Sequence, residues 1–123
     1  MAVNRNKERI DRTGEIFTPP MLIEEMLDLL SPDAFFDDSK TFCDPACGDG
    51  NFLVEILLRK LKNGHDVSVA LSTIYGMDIM EDNVQECRNR LLEIAASQNV
   101  NKKQEYINIL KKNILVGNSL GAL

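Results

Sequence analysis

The chain has 123 residues, 44% apolar and 27% charged, which fits one soluble globular domain with a single core and not two. No apolar run reaches the length of a membrane span, and Met1 to Lys7 lead into no apolar core of a signal peptide. A net charge of −5 argues against a protein that grips nucleic acid by bulk phosphate neutralisation.

Residues 1–12 are polar and without periodicity, and read as a flexible N-terminal arm; the domain proper is expected over 13–123. The arm carries Arg5, Lys7, Arg9 and Arg12 against Glu8 and Asp11. Thr13-Gly14-Glu15-Ile16-Phe17-Thr18-Pro19-Pro20 follows. Each proline pushes the residue before it out of helical geometry, so a helix starts only near Pro20. It is predicted to reach Leu30, with Leu22, Ile23, Met26, Leu27, Leu29 and Leu30 as a broad apolar face, before Ser31-Pro32-Asp33 stops it. Phe35 and Phe36 are expected in a short turn packed on the core.

The segment from Thr41 to Leu53 is the centre of the chain. A short apolar run, predicted as a strand over Thr41–Asp44, ends on a carboxylate. Pro45-Ala46-Cys47-Gly48-Asp49-Gly50 makes a tight turn with two glycines, and an amphipathic stretch opens at Phe52. Strand, glycine loop and helix in that order let backbone approach a ligand where side chains would obstruct it. The helix is predicted from about Asn51 to Leu61 and is stopped by Asn63-Gly64. Amide groups at its start favour an anion. His65, just beyond, reads as a loop or cap residue and not as a base.

Val67 to Thr73 reads either as a short helix or as the approach to a strand. Ile74-Tyr75-Gly76-Met77-Asp78-Ile79 is the second predicted strand, again ending near an acid. A helix from about Glu81 to Ser97 puts Val84, Cys87, Leu91, Leu92, Ile94 and Ala95 inward, and its opening acids suit the helix dipole. A last helix over Lys103–Lys112 surrounds Tyr106, flanked by Lys102, Lys103, Lys111 and Lys112, a cluster that reads as a solvated face. Asn113 to Leu120 reads as a third strand with a polar end at Asn118. Cys43, Cys47 and Cys87 are odd in number and, with no export signal, are expected as free thiols in a reducing cytoplasm. One histidine and no second cysteine pair leave little basis for a metal site.

Asp44-Pro45-Ala46-Cys47-Gly48-Asp49-Gly50-Asn51-Phe52-Leu53 resembles the first motif of S-adenosylmethionine-dependent DNA adenine-N6 methyltransferases. It is not the three-glycine dinucleotide fingerprint, because Leu53 stands where the third glycine belongs. Gly14-Glu15-Ile16-Phe17-Thr18-Pro19-Pro20 resembles the motif that precedes this loop in many such enzymes, and Tyr75-Gly76-Met77-Asp78-Ile79 resembles their second motif. The resemblance implies an α/β, Rossmann-like methyltransferase half-domain with about three parallel strands and flanking helices. It implies S-adenosyl-L-methionine as cofactor. Asp44, Pro45, Ala46, Gly48, Gly50 and Phe52 would form the loop around it, and Phe17, Thr18 and Pro19 would close the methionine end. Asp78 would take the ribose hydroxyls and Ile79 would pack on the adenine ring. Asn118 stands where the family's third motif has an acid; its amide oxygen still accepts from the adenine amino group.

The family's Asn/Asp/Ser-Pro-Pro-aromatic motif, which holds the flipped adenine, does not occur in this sequence. The resemblance covers Thr13 to Leu120 and only the cofactor-binding half of the family's domain, so no catalytic residue is assigned. The expected function is the cofactor-binding portion of a restriction-modification type adenine methyltransferase, inactive as a chain alone. A second chain is the expected partner, either another copy or a catalytic and target-recognition subunit, with DNA reached through it. The alternative is a non-catalytic methyltransferase-like protein that sequesters cofactor or regulates a partner enzyme.

Overall fold

The structure is a computed structural model and describes residues 19–117. The arm, Phe17, Thr18 and Asn118 lie outside the described residues. Three short strands, β1 (Phe42–Asp44), β2 (Ile74–Asp78) and β3 (Ile114–Val116), form one parallel sheet in the order β1-β2-β3. Phe42 pairs with Ile74, Asp44 with Gly76, Gly76 with Ile114 and Asp78 with Val116. Parallel pairing demands a crossover between successive strands. Helices α3 (Asn51–Lys62) and α4 (Val67–Ser72) make the first crossover. Helix α5 (Glu81–Gln98), a 3₁₀ turn (Val100–Lys102) and α6 (Lys103–Asn113) make the second. Two helices precede the sheet, α1 (Pro20–Asp28) and α2 (Asp33–Phe36). The architecture is an α/β, Rossmann-like half-domain.

Local chemistry explains most boundaries. Pro19 caps α1 in an extended conformation and Pro20 sits in its first turn. The helix closes at Asp28, two residues before the predicted end, because Leu29 and Leu30 donate to Met26 and Leu27 in tighter three-residue turns. Its apolar face is also narrower than expected: Ile23 and Leu27 are buried, whereas Met21, Leu22, Met26, Leu29 and Leu30 are exposed. Phe35 is buried and stacks on Phe42 with centroids 5.4 Å apart, but Phe36 points outward. The ambiguous segment 67–73 resolves as helix α4, capped by Asp66, whose carboxylate accepts from the Val69 amide (3.2 Å).

Asn113 is the last residue of α6 and not the first of a strand. It is buried and donates to Leu71 O (3.2 Å) and Ser72 O (3.4 Å), tying the end of α6 to the end of α4. The second strand stops at Asp78, one residue short of Ile79.

Two polar residues near the end of α3 are buried. His65 lies in the loop, as read, and is 8% exposed, tucked behind the left-handed Gly64 with its amide donating to Lys60 O (3.2 Å). Lys60 is fully buried. Its ammonium donates to Lys40 O (2.9 Å) and lies 5.0 Å from the Phe42 ring centroid. Burial lowers its pKa, against the opposing pull of Asp38 and Asp37.

The helices cover one face of the sheet. Ile74, Gly76 and Ile114 are buried on that face among Leu53, Leu57, Leu71, Cys87 and Leu91. The alternate positions Cys43, Tyr75 and Leu115 are exposed on the other. Among the described residues β1 pairs only with β2, so its outer edge is open. No described helix is long and apolar enough to cross a membrane.

Candidate functional site

The carboxyl ends of β1 and β2 carry Asp44 and Asp78, and the glycine loop is suspended between them. After Asp44 the chain turns at Pro45, and Asp44 Oδ1 accepts the Ala46 amide (3.1 Å), an Asx turn. The loop then returns to the sheet, because the Cys47 amide donates to Met77 O (2.9 Å) and so continues the ladder that β1 has left. Gly48 (φ +55°) and Gly50 (φ +97°) take left-handed conformations. At Gly50 space is as restrictive as the dihedral. A Cβ there would lie 2.8 Å from Cys87 Sγ and 3.2 Å from Cys87 Cα. Gly50 is also the N-cap of α3, its carbonyl accepting from Val54 (2.8 Å).

Asp78 serves as the anchor of this loop. Its Oδ1 accepts the Gly48 amide (3.3 Å), and its Oδ2 accepts the Met80 amide and the Asn83 side chain (both 3.0 Å). A carboxylate has about four acceptor sites, so capacity is left for a ligand hydroxyl. Burial pushes the Asp44 carboxyl above its ordinary range. The Ala46 amide pulls it back, and the neighbouring Asp78 carboxylate adds to the rise. Two carboxylates and the start of α3 therefore meet at one sheet edge. Such a group suits a ligand that brings both hydroxyls and a charged end.

A cleft of about 370 Å³ opens beside this loop, within the size range of small-molecule pockets. Asp44, Ala46, Gly48 and Phe52 line it, as do Cys43, Cys47, Asp49 and Asn51, with Leu27 of α1 and Leu30 just past its end. The remaining sequence-predicted residues are distributed differently. Gly50 is buried beneath the loop, Pro45 is exposed, and Pro19 is exposed at the start of α1. Asp78 touches the cleft only through Gly48, and Ile79 is 57% exposed beyond the end of β2.

Sequence reasoning placed Cys87 on the inner face of α5 but missed Asn83 and Arg90. Arg90 Nη1 donates to Asn51 Oδ1 (2.7 Å) and Asp49 O (3.1 Å), and lies 3.5 Å from the Asp49 carboxylate. The partners of Arg90 stand some forty residues away in sequence, so no local pattern announces it. Cys47 and Cys87 are free and buried, and the Cys47 thiol together with burial pushes the Cys87 thiol far up, which leaves it inert. Cys43 is free and exposed.

A parallel sheet with an acid-ended first strand, a two-glycine turn and a second strand-end acid bonded to that turn defines a methyltransferase-type half-domain. Comparison with known proteins agrees: the family model for N-6 DNA methylase matches residues 3–114. The chain belongs to the N-6 DNA methylase family. It is also similar to the Type II methyltransferase M.VspI of Vibrio sp. (strain 343), with 36% identity over 101 residues. That alignment takes in 80% of this chain and 21% of the relative, so the chain spans about a fifth of the length of the curated protein it matches. No solved structure matches the chain.

Proposed function

We propose that this chain carries the S-adenosylmethionine site of a DNA adenine-N6 methyltransferase of the restriction-modification type. The observation that carries the reading is the Gly48 amide donated to Asp78: it joins the glycine loop to the second strand-end acid and brings Asp44 and Asp78 to one edge. The residues present fit the cofactor. The left-handed glycines open the backbone, the cleft beside them has the volume of a ligand site, and Asp78 keeps acceptor capacity for a ribose hydroxyl. The start of α3 would favour the cofactor's carboxylate. Ile79, exposed past the strand end, would pack on the adenine ring. Asn118 would accept from the adenine amino group, and Phe17, Thr18 and Pro19 would close the methionine end. When bound, the cofactor supplies an activated methyl group.

Holding the flipped base in line with that methyl needs an aromatic platform and a polar group at the amino nitrogen. We assign these to further polypeptide, together with recognition of the DNA sequence. The open edge of β1 and the uncovered sheet face are where that polypeptide would dock.

Calorimetric titration with S-adenosylmethionine tests the reading. The folded chain should bind one equivalent, and Asp78→Ala should weaken binding by roughly 1–3 kcal/mol, the cost of leaving buried polar groups unpaired. Absence of any heat from folded wild-type chain would refute it. Binding without methylation of adenine-containing DNA, even when a complementing subunit is supplied, would favour the cofactor-sequestering alternative.

A further inference from the structure

One stripe of α5 is turned toward the glycine loop. Asn83, Cys87 and Arg90 follow at intervals of four and three residues, so they stack on a single helix face. Asn83 holds Asp78, whose other oxygen holds Gly48. Cys87 fills the space where a side chain on Gly50 would have to go. Arg90 reaches the residues on both sides of Gly50, through the Asp49 carbonyl and carboxylate and through the Asn51 amide oxygen. Arg90 itself forms no part of the cleft wall.

The Asp49 side chain is only 7% exposed. A carboxylate so buried is costly without a cation, and its negative charge stands where the first turn of α3 begins. Paired with Arg90 it is neutralised. Unpaired, it would swing toward solvent through the cleft and oppose any anionic ligand group there.

We infer that Arg90 is a positioning residue for the cofactor loop: by clamping Asp49 and Asn51 on either side of Gly50, it sets cofactor affinity without touching the ligand. The inference rests on the cofactor reading above. Two hydrogen bonds from one guanidinium nitrogen, with a 3.5 Å ion pair beside them, converge on the two residues that flank Gly50. Arg88, two residues earlier, bonds instead to Ile114 O at the start of β3 and supplies a control on the same helix.

The test compares the full wild-type chain with Arg90→Ala, Arg90→Lys and Arg88→Ala. Each is measured by calorimetric titration with S-adenosylmethionine and by amide hydrogen exchange of residues 48–52 without ligand. Arg90→Ala should speed exchange across the loop and weaken cofactor binding about tenfold. Arg90→Lys keeps the charge but not the rigid planar guanidinium, so it should recover part of both losses. Arg88→Ala should leave the dissociation constant at the wild-type value. Wild-type affinity and wild-type loop exchange in folded Arg90→Ala would overturn the inference, as would an equal loss of affinity in Arg88→Ala. Should Arg90→Ala not fold, Arg90→Lys decides: its loop exchange must exceed that of wild type. If the wild-type chain binds no cofactor, the functional reading fails, while loop exchange alone still decides whether Arg90 clamps the loop.

Discussion

Asp44 is held at a cost to the fold. Its carboxyl is part-buried and faces the Asp78 carboxylate, and the Ala46 amide offsets only some of that penalty. Because its folded pKa is raised, the stability linked to it is full below the ordinary aspartate value of 3.8 and is lost as pH rises through the raised folded value. Asp44→Asn keeps an oxygen for Ala46 and removes the charge. It should therefore unfold at higher temperature than wild type at neutral pH, with the advantage vanishing below pH 3.8. Thermal unfolding followed by circular dichroism from about pH 3 to neutral pH checks this, and equal melting curves at neutral pH would contradict it. A residue that costs stability where it sits is the usual signature of a functional position. This acid, Asp78 and the two glycines were readable from the sequence, because each sits at a strand end or a tight turn with a local signature. Arg90 was not, since its role exists only after α5 has packed against the loop.

At the scale of elements, periodicity and capping located all three strands and the helices α1, α3, α5 and α6 within a few residues, and left α4 as one of two readings. Errors fell where tertiary contact overrides local preference. His65 reads as a loop residue and is one, but its burial follows only from the αL turn at Gly64. Asn113 looks like the polar start of a strand, yet its side chain bonds two carbonyls of α4. The two glycines that flank α3 separate backbone strain from packing. At Gly64 (φ +84°) a Cβ would meet nothing within 4 Å, whereas at Gly50 (φ +97°) it would meet the Cys87 backbone. Gly64→Ala should cost about 1–2 kcal/mol for the left-handed conformation alone. Gly50→Ala should cost about 1–3 kcal/mol more through overpacking. Urea unfolding measures both, and equal losses would mean that Cys87 does not constrain the loop.

For the whole molecule the decisive feature is asymmetry. Parallel sheets are ordinarily covered on both faces. Here Tyr75 and Leu115 are 40% and 42% exposed on the open face. With the unpaired edge of β1, this surface is a template for association. The isolated chain should self-associate with rising concentration in sedimentation velocity. The double substitution Tyr75→Lys with Leu115→Lys should shift it toward monomer while changing thermal stability little. Wild-type chain that stays monomeric at every concentration would contradict this.

Residue-resolved amide shifts during titration with S-adenosylmethionine test most directly whether the loop between Asp44 and Asp78 is a cofactor site. Saturable shifts should concentrate in residues 46–53 and 78–80, with little change in α4 and α6. Saturating cofactor that leaves Gly48, Gly50 and Ile79 unmoved, or that moves only residues remote from the two strand ends, would contradict it.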